Sequence, residues 1–298
     1  MYKTRALINK VITIREVNVL NNKQKQRFEQ QGYLVLSELF SHHQIGTLKA
    51  AALKIVDDFD PQSTRSVFST ETDSNTNRDD YFLDSDNKIR CFFEEDAFSS
   101  DGKLQQAKAL SINKIGHALH VLSPEFAAFS QSRIIAQIAE DLGVVSPEIR
   151  QSMYIFKQPK IGGVIRWHQD ATYFFTAPQS VVTFWFAIED ANIENGCLQI
   201  DKQGADFVLK EQFKRYTDDT TELVALANVD WPTPDRALPL EVKAGSLVVF
   251  NGALPHFSEA NISNKSRHAF TLHVTSARAH YDEHNWLRAK GVRIYSQN

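Results

Sequence analysis

A mostly β protein with flanking helices and a jelly-roll core is predicted by three features of this sequence. From Arg150 onward, strand-like runs follow one another: Gln151–Lys157, Val164–His168, Val181–Ile188, Cys197–Ile200, Leu240–Val242, Ser246–Phe250 and Phe270–Thr275. Turn-forming residues separate them, namely Pro159, Gly162-Gly163, Asn195-Gly196, Gly245 and Asn251-Gly252. Before Arg150, capping residues stand ahead of apolar runs, which predicts helices. Many short strands so punctuated close into a sandwich or barrel, and a jelly roll leaves room for a buried site between its sheets. One domain is expected, helix-rich over about 1–149 and β over about 150–298.

Taken in order, residues 1 to about 20 alternate Val and Ile and suggest an edge strand or a docked arm. Asn21 or Asn22 can cap a helix that runs to Gln31 and stops at Gly32. Tyr33–Leu36 predicts a short strand. Ser41 with Gln44 forms a capping box for a helix through about Phe59. Residues 61 to 80 are polar and turn-rich, as in a mobile loop. Tyr81-Phe-Leu and Ile89–Phe93 suggest strands, and a helix is expected from about Gln105 to Val121. Ser123-Pro124 then opens another helix in N-cap/N1 order, closed by Gly143. Residues 201–239 interrupt the β region with polar sequence ending in Trp231-Pro-Thr-Pro234. So long an excursion predicts a mobile flap over the mouth of the site.

Composition excludes several classes. The chain has 298 residues, 42% hydrophobic and 23% charged, with a net charge of −3. That balance gives no basic footprint for nucleic acid or an anionic membrane. No apolar run is long enough to span a bilayer, and the basic N-terminus lacks the apolar stretch of a signal peptide. Two cysteines give no disulfide framework, so a reducing compartment, by default the cytoplasm, is expected.

Chemistry concentrates around Arg166-Trp-His-Gln-Asp170. On an extended strand, His168 and Asp170 point to the same face. A distal histidine, His256 in Phe250-Asn-Gly-Ala-Leu-Pro-His256, stands 88 residues on (256 − 168). Two imidazoles and one carboxylate, with open positions opposite, are the ligand set of non-heme Fe(II) oxygenases, in which a cosubstrate and O2 must both reach the iron. Arg267 follows His256 by eleven residues (267 − 256). On an antiparallel neighbour its planar fork would suit a carboxylate near the metal.

Longer runs carry a family resemblance. They include Gly32-Tyr-Leu-Val-Leu36, Ser111-Ile-Asn-Lys-Ile-Gly-His-Ala-Leu-His120, Gln151-Ser-Met-Tyr-Ile-Phe-Lys-Gln-Pro159, His168-Gln-Asp-Ala171, Glu194-Asn-Gly-Cys-Leu198 and Asn285-Trp-Leu287. The chain resembles the phytanoyl-CoA dioxygenase family of Fe(II)/2-oxoglutarate oxygenases, in particular its domain-containing protein 1 group, over most of its length. The resemblance implies a double-stranded β-helix with iron held by His168, Asp170 and His256. It also implies a 2-oxoglutarate site formed by Arg267 and Ser258 at the far carboxylate, with Lys114, Met153 and Trp185 lining the pocket. One departure stands out. After Leu198 the family continues with a hydrophobic stretch and a Pro-Gly-Ser-His turn, whereas here Gln199-Ile-Asp-Lys-Gln-Gly-Ala-Asp206 follows.

Without the resemblance, Lys114 would be a solvated helix residue, and Met153 and Trp185 core filler. His117 and His120 are expected to be structural, and His280 and His284 to belong to a polar turn. A pocket role for His273 is open. The function expected is 2-oxoglutarate-coupled hydroxylation, since related halogenases replace the carboxylate ligand by a small residue and Asp170 keeps it. A non-catalytic jelly-roll sensor of metal and 2-oxoacid, or a cupin-type metalloenzyme not using 2-oxoglutarate, is the alternative. The substrate, a small molecule or a modified macromolecule, is not specified by these residues.

Overall fold

The computed structural model describes residues 19–68, 79–203 and 208–296. The arm expected at the N-terminus lies, through residue 18, outside them, as do residues 69–78 of the expected loop.

Local chemistry explains the first elements. Helix α1 (Asn22–Gln31) begins at Asn21, whose side chain accepts from the Gln24 amide while Gln24 accepts in return from the Asn21 amide. It ends at Gly32, where φ is +75°. Strand β1 (Tyr33–Leu36) leads to α2 (His42–Asp58), which Ser41 and Gln44 cap in the same reciprocal way. There follow α3 (Asp80–Leu83), β2 (Ile89–Phe93), β3 (Ile112–His117), α4 (Leu119–Leu122), α5 (Pro124–Ser130) and α6 (Arg133–Asp141). The remaining strands are β4 (Pro147–Ile155), β5 (Ile165–His168), β6 (Thr176–Ala177), β7 (Val182–Ala187), β8 (Gln199–Asp201), β9 (Glu211–Arg215), β10 (Thr221–Ala225), β11 (Ala237–Pro239), β12 (Leu247–Asn251), β13 (His256–Ser258), β14 (Ala269–Ser276), β15 (His280–Tyr281) and β16 (Val292–Arg293).

The larger sheet runs β1-β12-β7-β14-β4-β3-β2, with β16 also paired to β4, and the smaller runs β11-β8-β13-β5. Every pairing between these strands is antiparallel. The strands at the centre of the larger sheet are buried on both faces, and alternation sorts their side chains. Val182, Phe184 and Phe186 of β7, with Phe270, Leu272 and Val274 of β14, join Phe40, Leu48, Phe126 and Ile135 in the core beneath the helices. Each such large apolar side chain contributes about 1.5–3 kcal/mol through its burial. The alternate residues, including Thr183, Trp185, Thr271 and His273, turn to the opposite face and line a cleft shared with the smaller sheet.

The structure revises several expectations. The helix expected over Gln105–Val121 is instead a 3₁₀ turn at Lys108–Leu110, strand β3 and then α4. Apolar residues at 112, 115, 118 and 119 mimic a helical period. All six residues of β3 are buried, however, so its polar members Asn113, Lys114 and His117 face inward and no period of two is visible. Tyr81-Phe-Leu is helical rather than extended because Asp79 caps it, accepting from the Phe82 amide at 2.7 Å. The helix expected from Ser123 to Gly143 is interrupted at Gln131-Ser132. The strand expected at Leu240–Val242 is displaced to β11, and Val242 forms an isolated bridge with Ala191.

Within the excursion at 201–239, expected as a mobile flap, the described residues include a hairpin packed against the body of the protein. Strands β9 and β10 pair as a hairpin. Phe213 is 1% exposed and joins the cluster that contains Trp286 and Phe174. Buried Arg215 donates to the Leu83 carbonyl at 2.6 Å and to Asp219 at 2.9 Å. Among the described residues, no helix is long and apolar enough to cross a membrane.

Candidate metal centre and anion pocket

His168 closes β5 and His256 opens β13, and the two stand directly opposite one another in that antiparallel pair, ring centres 4.1 Å apart. Asp170 is not on the strand. It begins a 3₁₀ turn, Asp170–Thr172, after Gln169 has continued the extended backbone. The potential ligand atoms of His168, Asp170 and His256 all lie within 4.8 Å of one another.

Hydrogen bonds select the atoms that face inward. Nδ1 of His168 lies 2.8 Å from the Arg166 carbonyl, and Nδ1 of His256 lies 3.0 Å from the Leu254 carbonyl. A carbonyl only accepts, so each Nδ1 carries the proton and each Nε2 offers a lone pair. Both Nε2 atoms face Asp170 Oδ1, at 3.8 Å and 3.7 Å. Burial, then the His256 charge, pushes His168 down to about 3. Burial alone would raise the Asp170 carboxyl, but His256, His273 and His168 together hold it well below the usual carboxylate range. Neutral His168 and ionised Asp170 at neutral pH offer a divalent cation the donors it needs.

The other carboxylate oxygen is occupied by the protein. Thr183 donates to Asp170 Oδ2 at 2.6 Å, and His273 Nε2 lies 3.4 Å from it. His273 stacks on Phe174 with ring centres 4.7 Å apart. Asp170 is therefore presented through Oδ1. Sequence reasoning left His273 open, although alternation from Arg267 does put it on the same face. Thr183 was missed, because a threonine in an apolar strand gives no signal of its own.

Gln169, between the two candidate ligands, is fully buried and points away from them. Its amide donates to the carbonyls of Ala253 (2.6 Å) and Val208 (2.9 Å) and accepts from the Lys210 amide at 2.9 Å. One side chain thus joins the His168–Asp170 segment to the turn before His256 and to the approach to the hairpin.

Lys114, Met153, Trp185, Ser258 and Arg267 line the same cleft as the three candidate ligands, a space of about 1200 Å³ including its open mouth. Arg267 is 3% exposed. Its Nη2 donates to the Gly196 carbonyl at 2.9 Å, while Nε and Nη1 are buried without a hydrogen-bond partner among the described residues. Its guanidinium carbon lies 5.3 Å from the centre of the Trp185 ring. Burial pushes Arg267 down to about 10, still charged at neutral pH. Buried donors are costly to leave unsatisfied, so this end of the cleft suits an anion. Lys114 places its ammonium 3.0 Å from the centre of the Phe68 ring.

Lys157 also stands here and was missed. It follows β4, with φ of +38°, and acquires its place only through the fold. Burial, then the Arg267 charge, pushes its ammonium down to about 7. Two other expectations concern the remaining histidines. His117 bonds Ser85 at 2.7 Å and His120 bonds Ser152 at 2.9 Å, although His117 also borders the cleft. Where this chain lacks the Pro-Gly-Ser-His turn of the family it resembles, β8 pairs with β11 and β13 before the chain enters the hairpin.

Comparison with known proteins agrees on one group. The family profile "Phytanoyl-CoA dioxygenase (PhyH)" matches residues 28–269. A phytanoyl-CoA dioxygenase of Arabidopsis thaliana is 42% identical over 269 residues, covering 88% of this chain and 92% of that one. Phytanoyl-CoA dioxygenase domain-containing protein 1 of Danio rerio is 37% identical over 280 residues, covering 92% and 96%. Among solved structures, the non-heme alpha ketoglutarate dependent carbocyclase SnoK from nogalamycin biosynthesis superposes with a TM-score of 0.61 at 19% identity, covering 93% of this chain and 94% of that one. EctD from S. alaskensis with bound Fe gives 0.61 at 17% identity, covering 93% and 87%. Those likenesses establish the double-stranded β-helix fold.

Proposed function

The chain belongs to the phytanoyl-CoA dioxygenase family, and from that premise we propose that it is an Fe(II)- and 2-oxoglutarate-dependent dioxygenase that hydroxylates a small-molecule substrate. The observation that carries this reading is one cleft holding both a two-histidine, one-carboxylate cluster and a buried guanidinium with two unpartnered donors.

The residues fit the groups they would hold. His168 and His256 would bind the metal through Nε2 and Asp170 through Oδ1, with Thr183 and His273 fixing the carboxylate from behind. Arg267 and Ser258 would take the far carboxylate of 2-oxoglutarate, and Lys114, Met153 and Trp185 would bound its path. Iron supplies oxygen activation when bound: 2-oxoglutarate and O2 become succinate and CO2, and the second oxygen atom enters a C–H bond of the substrate. The chain's part is to orient the keto acid, to present the substrate and to keep water away. Phe82, Phe174 and Trp286 give the rest of the cleft an aromatic wall suited to a largely apolar body.

The test is anaerobic titration of the Fe(II) protein with 2-oxoglutarate, read by the weak visible band of a chelated keto acid. A screen of metabolite pools for substrate-stimulated succinate release follows. Absence of both the band and any 2-oxoglutarate-dependent succinate would overturn the proposal.

A further inference from the structure

Lys157 stands at the cationic end of the cleft. The residue is 2% exposed, and Nζ donates to the Gly163 carbonyl at 2.6 Å and to Ser258 Oγ at 2.8 Å. An ammonium has no acceptor, so it fills a lone pair of Ser258 and leaves the single hydroxyl proton to be donated elsewhere. Ser258 lines the cleft, as do Lys157 and Arg267. Arg267 adds the two unpartnered donors Nε and Nη1. Gly196 lets these groups converge, since a Cβ there would lie 2.7 Å from Lys157 Cε.

Neither cation is hydrogen-bonded to a carboxylate among the described residues. The hydrogen bonds of their side chains among the described residues go to uncharged oxygens, those of Gly163, Ser258 and Gly196. Glu94 and Glu259 act on Lys157 only through their charge, and the Glu94 oxygens accept from Asn113 and the Gln158 amide. A side chain whose task was to brace the 157–163 turn would need a donor but not a charge. Two buried cations with no carboxylate bonded to them are costly unless an anion completes the set.

We infer that Lys157 is a further residue of the cosubstrate pocket: it turns the Ser258 hydroxyl toward the far carboxylate of a dicarboxylic 2-oxo acid and, with Arg267, supplies the charge that this carboxylate meets. This rests on the cosubstrate reading above. Lys157 is a positioning residue acting through Ser258, and its loss falls on the far carboxylate rather than on the keto acid end.

The test uses the Mn(II)-loaded protein, so that binding is measured without turnover. Dissociation constants for 2-oxoglutarate and 2-oxopentanoate, which has the same chain length but no far carboxylate, are measured by calorimetry. Wild type, Lys157→Met, Ser258→Ala and the double variant are compared. Lys157→Met is expected to weaken 2-oxoglutarate by roughly tenfold to hundredfold and to leave 2-oxopentanoate within about twofold, a difference a global packing defect would not produce. The double variant is expected to be much less than the product of the two single losses. Equal weakening of both acids, no weakening of either, or fully multiplicative losses would overturn the inference. Should Lys157→Met not fold, Lys157→Gln serves the same comparison. A wild type that does not prefer 2-oxoglutarate over 2-oxopentanoate would overturn the cosubstrate reading itself, and this would be evident before any variant is made.

Discussion

Replacing Arg267 by alanine separates a 2-oxoglutarate oxygenase from a bare metal site. The guanidinium is 3% exposed and has two donors, Nε and Nη1, without partners among the described residues, while its third contact, to the Gly196 carbonyl, is spent within the protein. Each charge-assisted hydrogen bond to a carboxylate is worth about 1.5–3 kcal/mol. Two would give at most about 6 kcal/mol, but water entering the space left by alanine recovers part of this, so a loss of about 2–5 kcal/mol is expected. That corresponds to roughly thirtyfold to several-thousandfold in affinity. Arg267→Lys recovers only part, because one ammonium cannot reproduce a planar two-point contact. The assay is the 2-oxoglutarate dissociation constant of the Fe(II) protein, measured beside its iron affinity. Iron affinity should barely move, since the candidate ligands are His168, Asp170 and His256. Loss of iron with unchanged 2-oxoglutarate affinity would refute the reasoning.

His256→Ala removes one of the two Nε2 atoms that face Asp170, and 2-oxoglutarate-dependent succinate formation should drop to background in a protein that still melts cooperatively; near-wild-type succinate would sink the metal assignment. Phe213→Ala, at a site 1% exposed, should cost about 3–5 kcal/mol in denaturant unfolding; a cost below about 1 kcal/mol would mean that the hairpin does not pack as described. Affinity for 2-oxoglutarate should also depend on pH. Burial first, then Arg267, holds the Lys157 ammonium down to about 7, against the opposing pull of Glu94 and Glu259. A bound dianion favours the charged form, so binding takes up a proton once the free site has lost it. Affinity should therefore fall as pH rises above about 7, by at most about tenfold per unit, and Lys157→Met should flatten that slope.

The candidate ligand set was legible because its chemistry tolerates few residue types and its spacing is fixed by a strand end and a facing strand, which the structure brings together. His168, Asp170 and His256 could be named from the sequence, and Arg267 from its distance beyond the last of them. The reason offered for Asp170 was only half right. It reaches the site from a 3₁₀ turn rather than from the strand that ends at His168. The N-terminal caps at Asn21 and Ser41 were equally legible, since capping is local. Strand β3 was not. A strand covered on both faces loses its alternation, and Lys114, read as a helix residue, lies inside the cleft. Lys157 and Thr183 were invisible for a different reason. Their partners, Ser258 and Asp170, are 101 and 13 residues away, and only the assembled sheets bring them together. The polar character of 201–239 hid the packing of its hairpin because Gln212 and Arg215 are polar yet buried.

Gln169 limits how modular the region around the candidate metal centre can be. Because its amide is shared among Ala253, Val208 and Lys210, the segment beyond residue 201 cannot be exchanged as an independent cassette. A graft from a relative that did not return a carbonyl at the place of Val208 and an N–H at that of Lys210 would leave a buried amide with bonds unmade, one residue from two candidate ligands. Such a chimera should show its defect first in metal retention, however well the new segment accommodated a substrate. Redesign of this rim therefore has to start from the backbone of residues 208–210 and proceed outward.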